Sequence, residues 1–228
     1  MYLLFSGKKS VPNLPSLFML GREIERKNQT KFLGLVLDDA LSWKPHIEAA
    51  ANKISRMIGV LSKIRTNLTV ESSKLIYYSF VHSHMRYGLV YWQAAAGIYL
   101  NRISLLNKRA IRLITASPRL EHTNPLFRKC GILKFEDLCS LELAKFIHRD
   151  LIYGNHFVLE THAHRHTYST RGRLNLVLPQ TQTNLAHKFV TFAGVSLYNN
   201  LPDTLKSCED LVSFKIGYKN ILLNLYGE

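Results

Sequence analysis

Between residues 44 and 115 the sequence carries eleven Lys and Arg side chains against two carboxylates, a net of +9. Lys53, Arg56 and Lys63 fall in one stretch of helical periodicity, and Arg102, Lys108, Arg109 and Arg112 in another. Cations at fixed spacing on rigid helices suit the repeating phosphates of a nucleic acid, which they can grip without reading bases. A solvated bundle surface is the opposing interpretation, but two acids among thirteen charges leave few stabilising i,i+4 pairs. Phosphate contact is the better reading.

Other candidate chemistry is weaker. Asp38-Asp39 imitates the adjacent carboxylates that hold two metals in nucleotidyl transfer. Neighbours on an extended segment face opposite sides, however, so a turn and cap role before Leu41-Ser42-Trp43 fits better. His162, His164 and His166, with His156 nearby, could ligate zinc. Alternation by two points all three one way without closing a tetrahedral cage, and a His-rich polar loop is the plainer account. Tyr77, Tyr78, Tyr87, Tyr91 and Trp92 interleave with His82, His84 and Arg86. Such a row could stack on unpaired bases, but core packing with hydroxyls reaching solvent is the favoured role. No Gly-rich phosphate loop, G-x-S-x-G or Cys/His nucleophile pairing is present.

Composition agrees with a globular, polyanion-binding chain. The 228 residues are 46% hydrophobic and 20% charged, with a formal net charge of +14. Residues 1–43, 116–155 and 156–228 contribute only +2, +1 and +2, so the excess is concentrated rather than spread. Cys130, Cys139 and Cys208 form no C-x-x-C pair, which fits a reducing compartment. The apolar run at 75–92 contains His82, His84 and Arg86, which excludes a membrane span there, and Met1–Ser6 is too short for a signal peptide. The expectation is a soluble intracellular protein, cytoplasmic or nuclear.

These side chains need elements to hold them. Tyr2–Ser6 reads as a strand, Leu17–Leu20 and Ile24 as a hairpin about Gly21, and Phe32–Leu37 as a third β segment with Gly34 mid-strand. So few short strands make either a fragment of a larger sheet or a hairpin packed on helices. From Pro45, Ile47, Ala50, Ala51, Ile54, Ile58, Leu61 and Leu68 recur at helical steps, with Arg56 and Lys63 pointing away. Thr69 is the N-cap of a second helix running towards Trp92, and a third spans about Ile98–Thr115 before Pro118. Asn124-Pro125 opens a short helix ended by Gly131, and Phe135–Ile152 forms another, stopped near Gly154. Residues 155–185 lose the period. Phe189–Leu201 and Leu211–Leu225 close the chain, the latter with Phe214, Ile221 and Leu222 inward.

Several segments, in order, resemble the reverse transcriptases of non-LTR retrotransposons of the jockey-like group. Tyr2-Leu-Leu-Phe5 looks like the strand after that family's catalytic hairpin. Phe32-Leu-Gly-Leu-Val-Leu-Asp38 with Leu41-Ser-Trp43 and Lys44-Pro45-His46 resembles its last palm motif and the start of its thumb. Tyr77-Tyr78-Ser79, Arg86-Tyr87-Gly88 and Trp92 resemble the second thumb helix, and Leu106 through Arg109-Ala-Ile-Arg112 its Q-K-R-A-I-R element, with Asn107 at the Gln. His122-Thr123, Pro125-Leu126-Phe127 and Ile132-Leu133 are similar to H-T-x-P-L-F…I-L. Tyr168-Ser-Thr-Arg171 and Leu197-Tyr-Asn-Asn-Leu-Pro202 are similar to Y-S-T-R and L-W-N-x-L-P, with Tyr198 at the Trp.

The resemblance implies an RNA-directed DNA polymerase that primes from cut target DNA, of which these residues represent the end of the palm, the thumb and a downstream region. The family's Tyr-x-Asp-Asp motif does not occur here, so the 228 residues alone are expected to be inactive and to need no cofactor of their own; Mg would belong to the catalytic core. The expected fold is α+β, mainly α. It would comprise a palm remnant at 1–43, a basic thumb-like bundle at 44–115, further helices at 116–154, and an irregular His/Thr-rich loop with closing elements at 155–228. The expected partners are an RNA/DNA template–primer or target DNA, and the polymerase core itself, with no membrane. An inert transposon remnant or protein-docking module without nucleic-acid affinity is the alternative, predicting exposed apolar side chains around Phe5, Phe32 and Leu35. A His-dependent metal-binding protein is the third.

Overall fold

A computed structural model describes residues 1–5, 16–154, 175–181, 183 and 186–227. It is 64% helical with two small antiparallel sheets of two strands each, an α+β fold dominated by helix. β1 (Phe18–Met19) and β2 (Arg22–Glu23) form the first hairpin about Leu20-Gly21, both at positive φ. β3 (Gln29–Phe32) and β4 (Leu35–Asp38) form the second, in the register Gln29↔Asp38 to Phe32↔Leu35. Tyr2 makes one parallel bridge to Arg26, so the strand expected at Tyr2–Ser6 reduces to that contact within the described residues.

The segment expected as a single strand at Phe32–Leu37 is a reversal. Leu33 and Gly34 have φ of 45° and 83°, the left-handed pair that a two-residue hairpin turn requires. The Tyr87 hydroxyl donates to the Leu33 carbonyl, and a Cβ on Gly34 would stand 3.1 Å from the Tyr87 ring. The hairpin tip is thereby fixed to the helices.

α1 (Lys44–Ile64) begins where Asp38 prescribes. The Asp38 carboxylate accepts from the backbone N–H of Ser42 and of Trp43, each at 3.0 Å. It thus holds Trp43 at φ 61°, with Pro45 in the first turn. The turn role for Asp38 is what the structure shows; the cap role is not, since its bonds go to Ser42 and Trp43 ahead of the helix, and the N-cap residue Trp43 makes no side-chain bond to the first turn. α1 stops at Ile64, so Leu68 continues its apolar stripe from beyond the helix, after the 3₁₀ turn Arg65–Asn67.

Thr69 caps α2 (Val70–Ile76) by accepting from Ser72 N at 3.1 Å. The expected unbroken helix to Trp92 is not formed. A π-helical stretch, Tyr77–His82, leads into α3 (Ser83–Arg86), and Gly88 at φ 62° separates it from α4 (Leu89–Trp92). The Trp92 indole N–H donates to the Tyr87 carbonyl at 2.9 Å and seals the break. A Cβ on Gly88 would come within 2.7 Å of Leu35 on β4, so close hairpin packing also demands glycine there.

α5 (Gly97–Ile114) runs alongside α1. The Lys44 ammonium lies 5.9 Å from the Tyr99 ring centre, and Arg102 donates to the Asn52 side chain at 2.8 Å. α6 (Thr123–Cys130) ends at Gly131, φ 64°, and α7 (Phe135–Tyr153) at Gly154, φ 63°. Beyond them lie a π turn Val190–Gly194, helix Val195–Asn199, the short helix Asp203–Lys206 and helix Leu211–Asn224, the last capped by Asp210. Phe214 and Leu222 point inward from that helix, but Ile221 is 37% exposed, contrary to expectation. One apolar core runs from Trp43 and Ile47 through Tyr77, Trp92, Ile111, Phe127 and Ile147 to Phe214 and Tyr226.

Candidate nucleic-acid interface

The helical faces sort the seven predicted cations. On α5, Ile103, Asn107, Ala110, Ile111 and Ile114 are buried, leaving Arg102, Lys108, Arg109 and Arg112 on the outward arc. On α1, Arg56 and Lys63 are exposed opposite the buried Ile47, Ile54, Ile58 and Leu61. Arg56 donates weakly to the Asn52 carbonyl at 3.4 Å, the same residue whose side chain receives Arg102. Lys53 stands apart, on the flank towards α3. Burial first, and the Lys53 charge second, hold His46 and His84 below the usual imidazole range. Among the described residues no ion pair engages any cation of α1 or α5.

The C-terminal half of α5 lines two adjoining clefts, and a third lies beside the second. The largest, about 850 Å³, is lined by Arg65, Arg109, Arg112 and Arg119, with Leu105 and Leu120, and holds no carboxylate. Arg112 also lines the next cleft, about 330 Å³, with Lys108, His122 and Lys134 opposite Glu121 and Glu136. His122 and Asn124 belong in turn to a third, about 550 Å³, with Arg128 and Lys129. Through these shared residues the three clefts adjoin, and together they are termed the trough. Its hub is Arg112, whose Nε donates to the Glu121 carbonyl at 2.9 Å, fixing the guanidinium while leaving further N–H groups free.

Arg112 thus shares one cleft with Arg109 and the next with Lys108, and Arg102 lies a turn or more away along the same helix. Arg65, Arg119, His122, Arg128, Lys129 and Lys134 join the trough although sequence reasoning did not select them. Ala116 at φ 52° ends α5 and turns the chain back, which brings Arg119 under Arg112; a helical wheel carries no such information.

The recognised motifs also pack on one another. Asn107 is buried, accepts from the Tyr77 hydroxyl at 2.8 Å and donates to the Leu133 carbonyl at 3.2 Å. Burial, and secondarily the neighbouring Tyr78, push the Tyr77 phenol well above its ordinary range. Trp92 stacks on Phe135 at 5.7 Å between centroids and lies 5.9 Å from His46. Tyr77 and Trp92 thus take the core role, while Tyr78, Tyr87 and Tyr91 keep partly exposed rings. Tyr198 bonds His148 at 2.9 Å, and Asn199 exchanges two 2.9 Å bonds with the Leu176 backbone. His156, His162, His164, His166 and Tyr168–Arg171 lie outside the described residues. No helix among the described residues is long and apolar enough to cross a membrane.

No protein-family model matches the sequence. No solved structure matches it either. Curated relatives do. The chain is 26% identical over 158 residues to the probable RNA-directed DNA polymerase from transposon BS of Drosophila melanogaster, covering 68% of this chain and 17% of that protein. It is 28% identical over 145 residues to the RNA-directed DNA polymerase from mobile element jockey of the same species, covering 62% of this chain and 16% of that protein. A 115-residue match at 25% identity, 49% of this chain and 12% of the relative, is to the probable RNA-directed DNA polymerase from transposon X-element. The chain thus matches less than a fifth of the first of these relatives' own length. Over about 60% of its residues it is similar to RNA-directed DNA polymerases of jockey and other Drosophila non-LTR elements.

Proposed function

We propose that the chain is the thumb-containing part of a non-LTR reverse transcriptase and that its trough holds a template–primer or target duplex by the phosphates. The supporting observation is the arrangement of Arg65, Arg109, Arg112 and Arg119 around one cleft without a carboxylate. Arginine suits phosphate because its planar fork gives bidentate hydrogen bonds without base selection. Nucleotidyl transfer itself needs carboxylates and metal ions that belong, on this reading, to the polymerase core. Lysine acetylation with and without an RNA–DNA hybrid tests the placement. Lys108, Lys129 and Lys134 should be protected while Lys53 stays reactive. Equal protection of Lys53, or none at the other three, refutes it.

A second reading concerns the hairpins. Phe18, Met19, Leu20, Phe32 and Leu33 are 61–97% exposed at or beside the two strand reversals. Apolar side chains gathered at two hairpin tips fit docking against the rest of the polymerase rather than solvent. Substituting Phe18, Leu20 and Leu33 by Ser should raise solubility of the chain while leaving hybrid affinity unchanged. A loss of affinity equal to that from removing trough arginines contradicts this division.

A further inference from the structure

On the side of the bundle formed by α3, α7 and the helix Leu211–Asn224, a small cavity of about 90 Å³ is lined by Tyr78, His82, Arg86, Glu142, Lys215 and Lys219 over an apolar floor. Glu142 is its one carboxylate. A single oxygen of it, Oε1, receives Arg86 Nε and Lys145 Nζ, each at 2.9 Å. Lys215 and Lys219, one turn apart, make no ion pair among the described residues. Arg86, Lys215 and Lys219 against Glu142 leave two positive charges uncompensated in the lining of a cavity with room for about three waters, and Lys145 adds a further cation on Glu142.

That excess costs stability unless something answers it. Burial, then the Lys215 and Lys74 charges, lower the Lys219 ammonium. Burial, then Arg86, with smaller contributions from Lys219 and Lys215, hold His82 down to about 4 against the opposing pull of Glu142. A neutral His82 can donate one N–H into the cavity, and the Tyr78 hydroxyl lies on the same wall. A compact oxyanion with several acceptors would meet the free donors of Arg86, Lys215 and Lys219 together.

We infer that the Arg86–Lys215–Lys219 cavity is a binding site for one phosphate group, separate from the α5 trough. The group is a tetrahedral dianion, carried either by free phosphate or by the terminal phosphate of an oligonucleotide. A continuous nucleic-acid backbone suits it less, because the cavity is small and Ile132, Leu133, Leu138 and Leu141 line it with apolar groups.

The test uses the full chain in two steps. Thermal unfolding is followed while inorganic phosphate replaces chloride at constant ionic strength. At phosphate tenfold above its dissociation constant Tm should be higher by about 3–6 °C, and should go on rising with the logarithm of the phosphate concentration. The rise should vanish in Lys215→Met/Lys219→Met and persist in Arg109→Gln/Arg112→Gln, which separates this site from the trough. Phosphorus NMR line broadening of phosphate by the wild-type chain gives a second readout that needs no variant. Displacement by a 5′-phosphorylated oligonucleotide, but not its 5′-hydroxyl twin, assigns the terminal phosphate as source; displacement by neither assigns free phosphate. A Tm rise equal in chloride, absence of line broadening, or a rise surviving in Lys215→Met/Lys219→Met overturns the inference.

Discussion

Replacing Asp38 by Ala tests whether the Asp38-Asp39 pair is architectural. The carboxylate is 9% exposed and accepts two backbone N–H groups at 3.0 Å, from Ser42 and Trp43. Hydrogen bonds to a charged acceptor contribute roughly 1.5–3 kcal/mol each. The two are not independent, because one carboxylate accepts both. Some strain is also released when Trp43 leaves φ 61°. The expected net loss is about 3 kcal/mol, equivalent to about 6–12 °C in Tm for a chain of this size. Asp39→Ala is the control, since the Asp39 carboxylate accepts no hydrogen bond among the described residues and only its backbone N–H is used, to Asn28. Urea unfolding of both variants is followed by fluorescence of the two core tryptophans, Trp43 and Trp92. Equal destabilisation by the two substitutions, or none by Asp38→Ala, would refute this role for Asp38 in the turn.

Asn107→Leu should cost about 3 kcal/mol in urea unfolding, because it strands the buried Tyr77 hydroxyl and the Leu133 carbonyl; a Tyr77→Phe/Asn107→Leu double variant should recover part of that, and no recovery contradicts the pairing. Gly88→Ala should destabilise by about 1–3 kcal/mol from positive φ and the approach of Leu35 at 2.7 Å, with Leu35→Ala relieving the steric share in a double-mutant cycle. His82, held at about 4 by burial and by Arg86, Lys219 and Lys215, binds its proton more weakly in the native than in the unfolded chain. Stability therefore falls as pH drops from about 6.5 to about 4, and His82→Gln should flatten that limb of a pH–stability profile; an unchanged limb contradicts it.

Much of this fold was legible because helices declare themselves through a single stripe. Ile47, Ile54, Ile58 and Leu61 predicted α1, and Thr69, Gly131 and Gly154 marked ends that the structure keeps. Turns hidden in apolar runs were not legible. Leu33-Gly34 has the composition of a strand interior, and only the Tyr87 hydroxyl bond and the packing of Leu35 on Gly88 show that the chain reverses there. The π stretch Tyr77–His82 has no sequence mark of its own, since an extra residue in a helical turn leaves composition unchanged.

The interface was half legible for a related reason. Spacing placed Lys108, Arg109 and Arg112 on one face of α5, but a wheel treats each helix alone. It could not show that Lys53 comes near His84 of α3, or that Arg65, Arg119 and Lys134 arrive from other elements. Asn107 reads as one more polar residue in a basic helix, whereas its partners Tyr77 and Leu133 make it the link between helices.

The most direct test of the trough is the salt dependence of hybrid binding. Anisotropy of a labelled RNA–DNA hybrid is titrated with the wild-type chain and with Arg109→Gln/Arg112→Gln/Arg119→Gln across a range of salt concentrations. Each phosphate contact contributes about 0.7–0.9 to the slope of log K against log salt. The triple variant should therefore lose about 2–3 from that slope and bind more weakly at every salt concentration, whatever the sequence of the hybrid. A slope unchanged by the three substitutions, or affinity indifferent to salt in the wild-type chain, would contradict phosphate binding along α5.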